Sequence, residues 1–106
     1  MRMDAENTIW TVKFSSKASR QKAKLPPNID DILAALVTDL ALKGPAQPKW
    51  KNYGQLSGKK GEYHHCHLNA GRPTYVVVWQ VFNRQVRVME VRFVGTHEKV
   101  DYDRFK

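Results

Sequence analysis

Apolar residues fall into different rhythms along the chain, and each rhythm predicts an element. In TIWTVKFS, residues 8 to 15, apolar and polar positions alternate among β-branched and aromatic types, the pattern of a half-buried strand. SSKASRQKAKLPP follows. It opens on serines able to cap a helix, is basic throughout, and stops at two prolines that a helix interior excludes, so it predicts a short basic helix. NIDDILAALVTDLALKGP then places Ile29, Ile32, Leu33, Leu36, Val37 and Leu40 at three-and-four spacing, as in a helix with one buried face. Asn28 stands where it can cap this helix, Asp30 and Asp31 suit its positive end, and Lys43 suits its negative end. Gly44 and Pro45 stop it.

From Ala41 to Gly61 the periodicity fades. Five lysines (Lys43, Lys49, Lys51, Lys59 and Lys60) stand among glycines and prolines with no acidic residue, which reads as a loop-rich positive surface. Beyond it YHHCHL and TYVVVWQVF read as strands, NR as a tight connection and QVRVMEVRFV as a third strand. The order is strand, two helices, three strands, an α+β arrangement for a single domain over residues 1–106. The long apolar runs of the last two strands call for cover on at least part of both sheet faces.

Composition narrows the partners. A chain of 106 residues supports one modest core, and 42% hydrophobic with 26% charged residues excludes disorder of the whole chain. Eighteen Lys and Arg against ten Asp and Glu leave a formal charge of +8, which attracts polyanions. Nucleic acid leads; an acidic protein or an anionic membrane surface follows, and no long apolar segment suits a membrane span. MRMDAENTIW has no apolar stretch of signal-peptide type, so a cytoplasmic location is expected. Cys66 is the sole cysteine and forms no internal disulfide.

The chemistry concentrates in GEYHHCHLNAGRP, which carries three of the four histidines. Strand alternation puts Tyr63, His65 and His67 on one face and His64, Cys66 and Leu68 on the other. Leu68 and Cys66 mark the second face as buried, making His64 a core or boundary histidine. His65 and His67 admit three readings. A His-x-His pair can ligate a metal, although no second cysteine or acidic cluster stands by to complete the site. The pair can also be plain surface histidines. Or it can move protons, since imidazole both accepts and donates near neutral pH. RNA suits the last reading on a basic domain. Its 2′-hydroxyl attacks the adjacent phosphorus once a base takes the proton, an acid protonates the leaving 5′-oxygen, and a cation such as Arg72 stabilises the phosphoryl charge. Trp50 and Tyr53 lie among the loop lysines, where they either stack on bases or pack the loop down; Trp79 is assigned to the core.

At VRFVGTHEKVDY, preceded by CHL…GRPTYVVVW, the chain resembles the RelE/ParE superfamily of toxins from bacterial type II toxin–antitoxin modules, over essentially its whole length. The resemblance implies a RelE-like β-α-α-β-β-β fold, two N-terminal helices packed on a small, mainly antiparallel twisted sheet. For the histidine-rich branch it implies an mRNA endonuclease that acts on the ribosome without a metal or other cofactor, and a cognate antitoxin as partner. Carried onto matching positions, it implies His97 of Gly95-Thr96-His97 and His67 of CHL as acid and base. Arg72 is implied at the scissile phosphate, and Tyr102 as the C-terminal aromatic that stacks on or orients a base. His65 completes the candidate set. Lys49, Lys51, Lys59 and Lys60, with Lys17, Arg20, Lys22 and Lys24, would grip RNA phosphates. Rival readings are a ParE-like inhibitor that binds DNA gyrase without hydrolysis, a passive RNA-binding module, and an inactive toxin kept as a regulatory partner.

Overall fold

The computed structural model describes residues 9–106, so Thr8 of the first expected strand and most of MRMDAENTIW lie outside it. The elements are β1 (Thr11–Phe14), α1 (Ser16–Lys22), α2 (Pro27–Lys43), β2 (Gly54–Leu56), β3 (Glu62–His67), β4 (Tyr75–Asn83) and β5 (Val88–Thr96). Two short 3₁₀ turns, His97–Lys99 and Tyr102–Phe105, follow. The strands form one sheet in the order β1-β5-β4-β3-β2, antiparallel except where β1 runs parallel to β5. This is the α+β architecture that the apolar pattern predicts, with one extra strand. β2, only GQL, falls in the stretch whose sequence reads as loop.

Local chemistry explains the helix limits. Ser15 accepts from the Ala18 amide at 3.1 Å and caps α1. Asn28 does not cap α2. Pro26 holds the cap position and Pro27 is the first helical residue, where a missing N–H costs nothing, so the prolines that bar α1 from extending also start α2. Gly44 ends α2 at φ 94°, a left-handed backbone suited to glycine. The link between the last two strands is longer than NR: β5 begins at Val88, after a turn that ends with Arg87 at φ 56°.

Both helices cover one face of the sheet. Ile29, Leu33, Leu36 and Leu40 meet Cys66, Val77, Trp79, Met89, Val91 and Val94 there. The histidine strand alternates as expected, with His64, Cys66 and Leu68 turned into this core. The opposite face carries a second cluster of Leu56, Tyr63, Val76, Val78 and Phe93, roofed by Val100, Tyr102 and Phe105 of the C-terminal segment. The apolar runs are thus covered on both sides. A bulge between β4 and β5 pairs Val78 with Phe93 but Trp79 with Val91, leaving Arg92 as the extra residue and re-aiming its side chain.

Candidate active site

The register across β3, β4 and β5 builds the site. His67, the last residue of β3, pairs with Val76, and Val76 pairs with Gly95, so the three share one row of the sheet. His97 lies two residues past Gly95, and its amide donates to the Thr74 carbonyl at 2.7 Å, extending the β4–β5 ladder by one step. The imidazoles of His67 and His97 therefore meet edge to face, their centroids 5.5 Å apart at 78°. They line an open hollow of about 630 Å³ with Arg72, Pro73, Thr74 and Glu98. That volume lies within the ~300–1,000 Å³ of ordinary ligand sites.

The loop that carries Arg72 is fixed by its own side chains. Asn69 accepts from the Tyr75 amide at 2.8 Å and donates to the Pro73 carbonyl at 3.2 Å, while the Thr74 hydroxyl donates to the Gly71 carbonyl at 2.6 Å. Arg72 is thus presented, exposed, at the rim. The His67 amide donates to the Lys51 carbonyl at 2.7 Å, which ties the basic loop to the same wall. Partial burial, then the charges of His97 and Lys51, hold the His67 imidazole below its ordinary range, so it favours the neutral form that accepts protons.

His65 and Tyr102 stand elsewhere. The His65 ring lies against the Tyr102 ring at 5.1 Å, its Nε2 so close over Gly54 that a Cβ there would come within 3.0 Å. Its Nδ1 and the Tyr102 hydroxyl are buried without a hydrogen-bond partner among the described residues. Burial first, then His67 and His64, lower the His65 pKa. His65 thus lies beneath Tyr102 of the C-terminal roof, and both stand beside the hollow and not in it.

The basic candidates divide. Lys51 adjoins His67, and Lys17 and Lys24 border a groove next to the hollow. Lys49 lies by Asp39 and Lys43 at a separate depression. Lys59 and Lys60 sit at the C-terminal end of the structure, where Lys60 Nζ donates to the carbonyls of Asp103 and Arg104 at 3.2 and 3.4 Å. Lys22 pairs with Asp30 at 3.0 Å; Arg20 is exposed. Glu98 lines the hollow and Lys99 the groove beside it, both carried by the turn that His97 begins, and nothing in the sequence pattern marks either as a site residue.

Trp50 and Tyr53 take the packing role. Trp50 Nε1 donates to Asp39 at 2.8 Å. Tyr53 stacks on His64 at 5.8 Å, and His64 stacks on Trp79 at 5.9 Å. His64 is a satisfied core histidine. Its Nδ1 meets the Tyr53 hydroxyl at 2.7 Å and its Nε2 meets Glu62 Oε2 at 2.8 Å, while Arg84 holds the same carboxylate through both Nε and Nη2. Cys66 is inert by burial, which pushes its thiol up to about 12. Among the described residues, no three His, Cys, Asp or Glu side chains gather as a metal site would require, and no helix is long and apolar enough to cross a membrane.

No protein-family model matches the chain, and no curated protein matches it. Solved structures do. A chain of the archaeal RelE–RelB complex from Pyrococcus horikoshii has a TM-score of 0.69 at 15% identity, covering 87% of this chain and 99% of that one. A mutant of E. coli toxin RelE in the free state gives 0.65 at 20% identity over 85% of each chain. The isolated E. coli RelE toxin gives 0.60 at 21% identity over 91% and 93%. The chain has the fold of RelE toxins.

Proposed function

We propose that this protein is the toxin of a type II toxin–antitoxin pair, a cytoplasmic endoribonuclease that cuts message on the ribosome through acid–base catalysis. One observation carries the reading: His67 and His97, from separate strand ends, face one another at 5.5 Å in a hollow rimmed by Arg72. The attacking 2′-oxygen and the leaving 5′-oxygen are bonded to the same phosphorus in the transition state. Base and acid must therefore stand within the span of one phosphate, as these rings do. His67, favouring the neutral form, accepts the 2′-hydroxyl proton; His97 donates to the 5′-oxygen. The Arg72 guanidinium stabilises the charge that builds on the non-bridging oxygens. The steps balance in protons and charge with groups of this chain alone.

A charge of +8 favours an acidic antitoxin segment as the partner that restrains the toxin. Ribosomes programmed with message test the reading. His67→Ala and His97→Ala should each lower cleavage by ~10²–10⁴-fold, the worth of a positioned acid or base. Cutting by both variants at the wild-type rate overturns the assignment. So does a wild-type protein that leaves message whole and elicits a DNA-damage response when induced, the outcome of the gyrase-inhibitor reading.

A further inference from the structure

A second groove adjoins the hollow through chain neighbours. Tyr75 and Thr96 pair across β4 and β5, and their chain neighbours Thr74 and His97 line the hollow. On the far side of this pair, between α1 and the end of β5, lies a groove of about 420 Å³. Lys17, Lys24 and Lys99 border it, Leu25, Tyr75 and Phe93 contribute apolar and aromatic surface, and none of its lining residues is acidic. Lys99 sits in the same 3₁₀ turn as His97, so one short segment serves both places. Lys17, Phe93 and Lys99 also line a smaller depression with Arg92 and Arg104, where Asp101 and the Glu90 partner of Arg92 offset part of the charge. The groove beside the hollow thus gathers three lysines with no acid in its lining.

Lysines bordering an aromatic and apolar surface match the two sides of a nucleotide, cations for the phosphate and a flat face for the base. We infer that this groove is the subsite for the nucleotide adjoining the cleaved linkage, with Lys17, Lys24 and Lys99 on its phosphates and Tyr75 beneath its base. The inference rests on the ribonuclease reading and extends it by giving the RNA a direction, along α1 and away from Lys59 and Lys60. Its place beside the hollow favours single-stranded RNA over an acidic peptide.

The test is anisotropy of a labelled single-stranded RNA with 2′-O-methyl sugars, which cannot be cut, titrated with full-length protein over a range of salt. Lys17→Ala/Lys24→Ala/Lys99→Ala is compared with Lys13→Ala/Lys43→Ala/Lys106→Ala, which removes equal charge from exposed positions elsewhere. The groove variant should bind at least ~30-fold more weakly than the control, and its log affinity against log salt should flatten by about 2, at ~0.7 per released phosphate contact. Affinities within about twofold of each other, or no binding by the wild type at low salt, overturn the inference. A groove variant that keeps RNA but loses a polyglutamate peptide overturns it in favour of an acidic protein. Failure of the ribonuclease reading shows separately, as message left uncut by the unaltered protein.

Discussion

Replacing Tyr53 with Phe removes a single hydroxyl, and the structure gives that hydroxyl an outsized role. Glu62 lies near Arg84 and His64, whose hydrogen bonds outweigh the upward pull of burial and hold its carboxyl below the usual range. An ionised carboxylate only accepts, so His64 donates from Nε2 and its Nδ1 must accept from the Tyr53 hydroxyl at 2.7 Å. Burial, working against Glu62, keeps this imidazole below its ordinary pKa, in keeping with the neutral tautomer. Phe at position 53 preserves both stacked contacts, at 5.8 Å to His64 and 6.2 Å to Trp79, and strips only the proton donor. With His64 only 2% exposed, its Nδ1 is left without water or partner, at a cost of ~1–3 kcal/mol. For a domain of this size each kcal/mol lowers Tm by ~4–8 °C, so a mid-range cost shifts the melt by about 8–16 °C. Urea unfolding with unchanged slope is the assay, and a double-mutant cycle with His64→Leu should return ~1 kcal/mol or more of coupling. A Tyr53→Phe protein within ~0.5 kcal/mol of the wild type would refute the network, because that is the range of an ordinary surface change.

Other consequences are as direct. His64, His65 and His67 are all held below their ordinary value of 6.5, burial being the largest cause in each, so the folded state binds fewer protons than the unfolded one. Stability is therefore lost as pH falls below that value, by at most ~1.4 kcal/mol per pH unit for each histidine, before Glu62 reaches its own range; a flat profile from about pH 7 to about pH 5 would contradict this. Cys66, fully buried, should resist thiol reagents in the native protein and react once urea unfolds it. Prompt native labelling would show that α2 and the sheet part more readily than the packing allows. Arg72→Lys keeps the charge but loses the planar fork, and cleavage should fall at least ~10-fold with no change in Tm, whereas wild-type turnover would remove Arg72 from the phosphate.

Much of this architecture was legible because it is locally encoded. The three-and-four spacing in α2 and the alternation in β3 each report a face that is buried whatever the rest of the chain does, and the structure places Leu33, Leu36, His64 and Cys66 accordingly. Consecutive antiparallel strands also bring the ends of β3 and β5 to one edge, which is why His67 and His97 meet. Other features lacked a local signal. Three residues are too few to show the period of β2. Tyr102 and Phe105 are separated by charged residues and belong to no regular element, so their role as a roof over the second apolar layer emerges only from tertiary packing. The lysines looked alike in sequence, and only the loop path separates Lys51, tied to His67, from Lys60, tied to the C-terminal segment.

The proposed reaction requires a 2′-hydroxyl to lose its proton in the hollow between His67 and His97. The most direct measurement is cleavage of ribosome-bound message in which the sugar just before the cut carries 2′-hydrogen in place of 2′-hydroxyl, with analysis of the ends released from unmodified message. The expected result is no cutting at the modified linkage and a 2′,3′-cyclic phosphate on the upstream fragment of the unmodified one. Undiminished cutting at the deoxy position would contradict it.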